Sequence, residues 1–234
     1  MPPENAKRFY KRAETQQLND VYGVALDGRA VRTPAGGDLR ISSQRLAEAI
    51  AAEWQAQEEK INPASMPMMQ LACTAIDRVM PNRAEIIVQT AAYGASDLLC
   101  YRADGPDELV ARQNATWQPV LDWAANELSA PLVLAGGIMH IEQPDASLNA
   151  LRSAIEGLDD WRLTGATQLT QVLGSLVLAL TVVRGHLEWR QAFEASVLDE
   201  IFQADRWGED REALQRRNAQ ADEVRAAAAF LNLL

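Results

Sequence analysis

The spacing of apolar residues changes once along the chain, near residue 42. Before that point, two apolar segments, Val21–Leu26 and Arg29–Thr33, flank the dipeptide Asp27-Gly28. A period of two is typical of strands with one buried face, and Asp-Gly favours the positive φ angles of a type I′ turn. The pattern therefore predicts a tight β-hairpin, with a further strand over Phe9–Thr15.

After residue 42 the apolar period is about 3.6 residues, which indicates helices. Leu46, Ile50 and Trp54 fall on one face of the first helix, and Ser42 or Ser43 can cap its free amides. Further helices are predicted over Met66–Val79, Arg83–Tyr93, Glu108–Leu128, Ala146–Glu156, Thr167–Val182, Leu187–Gln203 and Arg211–Leu233.

These two patterns predict an α+β fold. We expect a small β-rich N-terminal domain over residues 1–60, which holds the hairpin and the first helix, and a larger, mainly helical domain over residues 61–234. Pro119 lies inside a predicted helix and should kink or divide it, because proline lacks the backbone donor that the helix needs. The apolar run from Leu169 to Val183 is too short to cross a bilayer, so we expect a buried helix and no membrane insertion.

Composition and charge narrow the class of partner. The chain has 234 residues, of which 48% are hydrophobic and 23% charged, as in folded globular proteins. Its 22 basic and 32 acidic residues give a net charge of −10, which repels phosphate backbones and makes nucleic acid an unexpected partner.

Cys73 and Cys100 lie in apolar segments and are predicted to be buried free thiols. The first residues resemble no secretory signal, so export is not expected.

Side chains that could carry catalysis are sparse. The two histidines, His140 and His186, are far apart in sequence, and neither cysteine has a partner at metal-binding spacing. The glycines of Ala135-Gly136-Gly137 are too few for a phosphate loop. The sequence therefore predicts no metal, no cofactor and no enzyme. The alternative is a small-molecule enzyme with a carboxylate and a tyrosine, such as Tyr93 or Tyr101, between the two lobes.

The C-terminal third is dense in acidic and aromatic residues. Phe193, Val197 and Ile201 recur every four positions and are surrounded by acids, which describes an amphipathic helix. Such a helix either packs on its own core or offers part of its face to another protein. The six tryptophans allow the same two interpretations, because tryptophan suits both cores and binding hot spots.

Several short motifs occur together over nearly the whole chain. They are Arg8–Lys11, the hairpin Leu26–Pro34, Glu53-Trp54, Met66-Pro67, Asp97–Ala103, Arg112-Gln113 with Trp117 and Pro119, and Trp207-Gly208 followed by Glu212-Ala213. Together they resemble the chaperone family that assembles the catalytic head of F-type ATP synthase by holding its alpha subunit. The resemblance also implies the two-domain α+β organisation described above.

This resemblance implies a binding function. The chain would bind unassembled alpha subunit and prevent its aggregation until the beta subunit replaces it. The family's functional acid would lie after Trp207-Gly208; Glu212 is the first choice, and Glu209 and Asp210 are close substitutes. Trp207 would contact the partner together with these acids. Trp54 resembles a family tryptophan whose role is either structural or functional. Related eukaryotic proteins would act in the mitochondrial matrix, and the resemblance implies a bacterial cytoplasmic location for this chain.

Overall fold

The computed structural model describes residues 6–137 and 139–234 of the chain. A small β region comes first and a mainly helical region follows it. Among the described residues, helix accounts for 63% and strand for 10%. The predicted α+β class is confirmed.

The N-terminal sheet is built on the predicted hairpin. Strands β1 (Ala13–Leu18), β2 (Val21–Leu26) and β3 (Arg29–Ala30) form an antiparallel sheet in the order β1-β2-β3. Between β2 and β3, Asp27 and Gly28 have φ angles of 48° and 81°, as a type I′ turn requires. The Asp-Gly prediction is therefore confirmed.

The first strand begins later than the sequence predicted. The expected strand covered Phe9–Thr15, but β1 begins only at Ala13. The preceding backbone is bonded to side chains instead of a neighbouring strand: the Arg8 guanidinium donates to the carbonyls of Tyr10 and Lys11, each at 3.0 Å. The Lys11 amide in turn donates to the Asp27 carboxylate at 3.0 Å. These side-chain partners take the backbone groups that a strand ladder would use.

The helices follow the predicted order with shifted ends. They are α1 (Gln44–Gln55), α2 (Pro67–Thr74), α3 (Arg83–Ala91), α4 (Asp107–Glu127), α5 (Asp145–Glu156), α6 (Asp160–Leu173), α7 (Leu176–Val183), α8 (Trp189–Ser196), α9 (Leu198–Trp207) and α10 (Arg211–Asn232). A short parallel pair, β4 (Tyr101–Arg102) and β5 (Ala135–Gly136), flanks α4 in sequence. None of the described helices is long and apolar enough to cross a membrane.

Helix α1 forms as its sequence pattern indicated. The Ser43 side chain accepts a hydrogen bond from the Leu46 amide at the start of the helix, which confirms serine capping. Leu46, Ile50 and Trp54 are all buried on one face. The Glu53 carboxylate on the same helix accepts from the amides of Met68 at 2.7 Å and Met69 at 2.9 Å, so it caps the start of α2.

Three helix predictions need correction. The single helix expected over Thr167–Val182 is divided between α6 and α7, because Gly174 adopts a φ of 64° and Ser175 then caps α7 through the Leu178 amide at 3.0 Å. The helix expected over Leu187–Gln203 is likewise two helices, α8 and α9, which meet at the non-helical Val197. Pro119 does not divide α4, which is continuous through it.

The chain divides into two compact units. One contains the residues up to Arg83 together with Asp160–Thr164 and Ala229–Leu234, and the other contains Ala84–Asp159 and Gly165–Ala228. Each has its own buried side chains. Fully buried residues of the first unit include Ile41, Leu46, Ile50, Trp54, Ile61, Met66, Met69 and Phe230, and those of the second include Leu99, Trp117, Leu151 and Ile155. Separate domains over 1–60 and 61–234 stay a prediction.

Candidate partner-binding surface

The most exposed tryptophan lies at the end of α9. Trp207 is 76% exposed, whereas Trp54, Trp117, Trp123 and Trp161 are buried. Tryptophan is enriched among the residues that dominate the energetics of protein interfaces. The core interpretation holds for the four buried tryptophans, and for the exposed Trp207 the interface interpretation stays a prediction.

Trp207 borders an open groove of about 250 Å³. Both ion pairs in the groove connect α10 to the preceding segment: Arg216 contacts Glu200 at 3.1 Å, and Arg217 contacts Glu209. The groove is lined by Glu200, Gln203, Ala204, Trp207, Gly208, Glu209, Asp210, Ala213, Arg216 and Arg217. We call these residues the Trp207 groove. It combines an exposed indole with charges of both signs, as the polar rim of a protein interface does.

The turn between α9 and α10 depends on a glycine. Gly208 has a φ of 91° and a ψ of 157°, a backbone conformation that only glycine adopts readily. Asp210 follows, and its carboxylate accepts from the Ala213 amide at 3.2 Å, as a helix cap does. The chain therefore changes direction sharply just after Trp207.

The sequence-predicted site residues are only partly brought together. Trp207, Glu209 and Asp210 all line the groove, and Glu212 lies outside its lining in the first turn of α10. Glu209 has the Arg217 side chain as a partner, whereas Glu212 is exposed and has no ion pair or side-chain hydrogen bond among the described residues. The assignment of these four residues to partner binding stays a prediction.

Helix α9 and the residues just before it are held against α4 by side chains to which the sequence analysis assigned no role. Gln113 Nε2 donates to Asp199 Oδ1 at 2.8 Å, and Trp117 Nε1 donates to the Ala195 carbonyl at 2.8 Å just before α9. Arg206 contacts Glu108 at 3.1 Å.

Phe202 lies between two arginines on the same helix pair. The guanidinium carbons of Arg112 and Arg206 are 5.2 Å and 4.9 Å from the centre of its ring. Arg112 also contacts Asp205 at 3.3 Å. Cations over a ring face are attracted by its quadrupole, so this cluster stabilises the part of α9 that leads to Trp207. The motif Arg112-Gln113 was the available sequence signal for it.

Trp54 has a structural environment. It is 1% exposed, its carbonyl accepts from the Tyr10 hydroxyl at 2.5 Å, and the Tyr10 ring meets its ring edge-on at 5.7 Å. Its indole Nε1 is buried without a hydrogen-bond partner. The first unit thus contains Trp54 as a core residue, and a functional role for it stays a prediction.

The residues of the alternative enzyme hypothesis make few contacts. The Tyr101 hydroxyl lies 3.5 Å from His140 Nδ1 in an exposed setting, and Tyr93 is half-buried. In the described ranges 6–137 and 139–234, no three His, Cys, Asp or Glu side chains form a group that could hold a metal ion. The hypothesis gains no support from these positions.

Comparisons with known proteins agree with one another. The family model described as ATP12 chaperone protein matches residues 7–125. Protein atp12, mitochondrial, from Schizosaccharomyces pombe is 24% identical over 244 residues, which is 99% of this chain and 84% of that protein. The crystal structure of Atp12 from Paracoccus denitrificans is 39% identical, with a TM-score of 0.94 over 97% of this chain and 98% of that one. The structure of an aspartate-to-lysine variant of the same protein is 38% identical in sequence, with a TM-score of 0.94 over 97% of this chain and 97% of that one.

The fold and these comparisons define the class of protein, which is a chaperone. More particularly, the chain belongs to the ATP12 chaperone family. This family acts in ATP synthase assembly. The resemblance that the sequence motifs indicated is confirmed.

Proposed function

We propose that this chain binds the unassembled alpha subunit of the F-type ATP synthase catalytic head and holds it until the beta subunit takes its place. An alpha subunit without its neighbours exposes apolar interface, and such surface promotes aggregation. A bound chaperone covers it. The observation that carries the proposal is the 76% exposure of Trp207 beside an acid-bearing groove in a member of an assembly-chaperone family.

The Trp207 groove suits a reversible contact. Tryptophan supplies a large apolar area with little rotamer entropy to lose, and charged residues around it favour specificity and fast association more than affinity. Since the beta subunit must displace the chaperone, the interface has to be weaker or more readily exchanged than the alpha–beta interface. The groove of about 250 Å³ accommodates one or two side chains, which is consistent with such a contact.

In this proposal the chain makes and breaks no bonds and needs no cofactor. Glu212, Glu209 and Asp210 contribute charge at the rim, and Trp207 contributes the apolar centre. Glu212 is the acid most available to a partner, because Glu209 is already paired with Arg217 and Asp210 caps α10. A bacterial cytoplasmic location is part of the same proposal.

The test uses purified alpha subunit, whose aggregation is followed by light scattering with and without this protein. The wild-type protein should suppress the aggregation of the alpha subunit. Addition of the beta subunit should then release the wild-type protein from its complex with the alpha subunit. Trp207→Ala should weaken capture about tenfold or more, as a hot-spot residue does. Val88→Ala is the matched control, since Val88 is also an exposed apolar residue, at 52%.

The acids are tested by charge reversal. Glu212→Lys should weaken capture while the circular dichroism spectrum stays that of the wild type. Glu85→Lys is its control, because Glu85 likewise lies in the first turn of its helix, α3, and suffers the same loss of dipole stabilisation. The proposal fails if alpha subunit aggregates equally fast with the protein present, or if the beta subunit does not release it. An unfolded Glu212→Lys protein would make that residue structural.

A further inference from the structure

A second cavity lies in the first unit, on the outer side of the N-terminal sheet. Its volume is about 450 Å³, which is within the range of pockets that bind ligands. Leu26 and Val31 contribute apolar lining, Trp54 also lines the cavity, and Phe9 stands on its border with 67% of its surface exposed. The cavity therefore offers an apolar wall and one exposed aromatic ring to an occupant.

The rim of this cavity is cationic, although the chain as a whole carries a charge of −10. Arg29 and Arg32 both line it and are both exposed. Arg32 reaches Asp38 only at 3.9 Å, with both side chains more than 60% exposed, so solvent screens that pair strongly. Arg29 has no ion pair within the described part of the chain. Two guanidinium groups are therefore available to an anionic group at the rim.

A polar group of the cavity wall also lacks a partner. Trp54 is 1% exposed, and its indole Nε1 makes no hydrogen bond to any residue in the ranges 6–137 and 139–234. Buried N–H groups are nearly always paired in folded proteins. The unpaired Trp54 N–H lies behind the cavity wall, so its resonance reports on an occupant of the cavity without contacting it.

From this combination we infer that the cavity is a docking site for an acidic polypeptide segment, one apolar side chain of which enters between Phe9 and Trp54. Carboxylates on either side of that side chain would pair with Arg29 and Arg32. This site is separate from the Trp207 groove, and the inference does not depend on the proposed function.

Two observations favour a polypeptide over a small molecule. Phe9 lies on the rim with most of its ring exposed. A small molecule inside the cavity would leave this ring exposed, whereas a polypeptide that passes over the rim would cover it. Arg29 and Ala30 form β3, the outer strand of the sheet. Extended segments commonly lie along such outer strands, where pockets select alternate side chains.

The probe is a fluorescein-labelled peptide, Gly-Asp-Glu-Leu-Asp-Glu-Gly, titrated with the full chain and followed by fluorescence polarisation. We expect saturable binding. The peptide in which lysine replaces each acid, and the peptide with serine in place of leucine, should each bind at least tenfold more weakly. The Trp54 indole N–H resonance, assigned from its loss in Trp54→Phe, should shift on binding of the acidic leucine peptide.

Variants distinguish binding of the peptide in this cavity from nonspecific electrostatic attraction to arginine side chains. Arg29→Glu combined with Arg32→Glu should raise the Kd at least tenfold. Arg40→Glu is the control, since Arg40 is exposed on the same unit and does not line the cavity; it should change the Kd less than twofold. Phe9→Ala should also weaken binding.

Four results would overturn the inference. One is the absence of saturable binding of the acidic peptide up to millimolar concentration. A second is equal binding by the arginine variant and the Arg40→Glu control. A third is binding of laurate, but not of the peptide, at the Trp54 resonance, which would assign the cavity to a small amphiphile. The fourth is a dimer in sedimentation experiments that Phe9→Ala abolishes, which would assign it to a second copy of this chain.

Discussion

The Gln113 side chain connects helix α4 to helix α9 through a 2.8 Å hydrogen bond from Nε2 to Asp199 Oδ1. Its Oε1 accepts from the Ala103 amide, also at 2.8 Å, and its carbonyl accepts from Arg102 Nη1 at 2.7 Å. Gln113 is fully buried. One glutamine thus fixes the start of the helix that ends at Trp207.

Gln113→Leu is expected to lower the free energy of unfolding by about 1–3 kcal/mol, because the Ala103 amide and the Asp199 carboxylate lose a buried partner. Urea denaturation followed by circular dichroism measures the effect. Gln118→Leu on the same helix is the control, since Gln118 bonds Asp122 in an exposed pair at 2.8 Å. That change should cost less than about 0.5 kcal/mol. Equal midpoints for the two variants would contradict this account of Gln113.

The buried Trp54 and the exposed Trp207 should respond oppositely to truncation. Trp54→Ala is expected to cost about 3–5 kcal/mol of stability, because it removes a buried ring and leaves a cavity. Trp207→Ala should change stability by less than about 0.5 kcal/mol, since its ring is 76% exposed. Thermal unfolding of both variants checks this. A strongly destabilised Trp207→Ala protein would show that the exposed ring packs on a neighbour.

Burial raises the pKa of Glu53 to about 7 from an ordinary value of 4.5, although the amides of Met68 and Met69 donate to its carboxylate. The folded protein then binds this proton more tightly than the unfolded chain does. The contribution of Glu53 to the free energy of unfolding is complete below pH 4.5 and is lost as the pH rises to about 7.

Glu53→Gln removes this titration. We expect the stability of the variant, relative to wild type, to rise between pH 4.5 and 7 and then to stay level. Urea midpoints measured from pH 4.5 to 8 test it, with Glu48→Gln, an exposed residue on the same helix, as the control. A difference that does not vary with pH would refute the assignment to Glu53.

Burial also raises the pKa values of the two free thiols, to about 11 for Cys73 and about 12 for Cys100. Because the thiolate is the reactive form, native protein at pH 8 should react with a disulfide reagent at least a hundredfold more slowly than the chain in urea. Absorbance of the released thiol dye gives both rates. Rapid labelling of the native protein would show that a thiol is accessible.

Local sequence signals predicted the elements that are determined locally. Asp27-Gly28 indicated its turn because only a few residue pairs tolerate two positive φ angles, and Ser43 indicated the start of α1. Gly174 was missed as the end of α6, because a glycine inside an apolar run carries no sign of its φ angle. The serine that follows it was the available signal. Pro119 was expected to kink or divide α4, which is continuous through it because packing of Trp117 and Val120 on either side compensates for one lost backbone bond.

The candidate surface was less predictable. Trp54 and Trp207 are the same residue type. The helical spacing of Leu46, Ile50 and Trp54 indicated the burial of Trp54, whereas no local pattern indicated the exposure of Trp207. The role of Gln113 was hidden for a similar reason, since its partner Asp199 is 86 residues away in sequence. The family motifs pointed to both regions, but not to which side chains meet.

Gly208 allows the chain to turn immediately after the exposed indole of Trp207. Glycine permits its φ of 91° at no steric cost but does not enforce it, so the ion pairs of Arg216 with Glu200 and of Arg217 with Glu209 hold the corner between α9 and α10. High salt, which screens exposed ion pairs, should therefore loosen the corner beside Trp207.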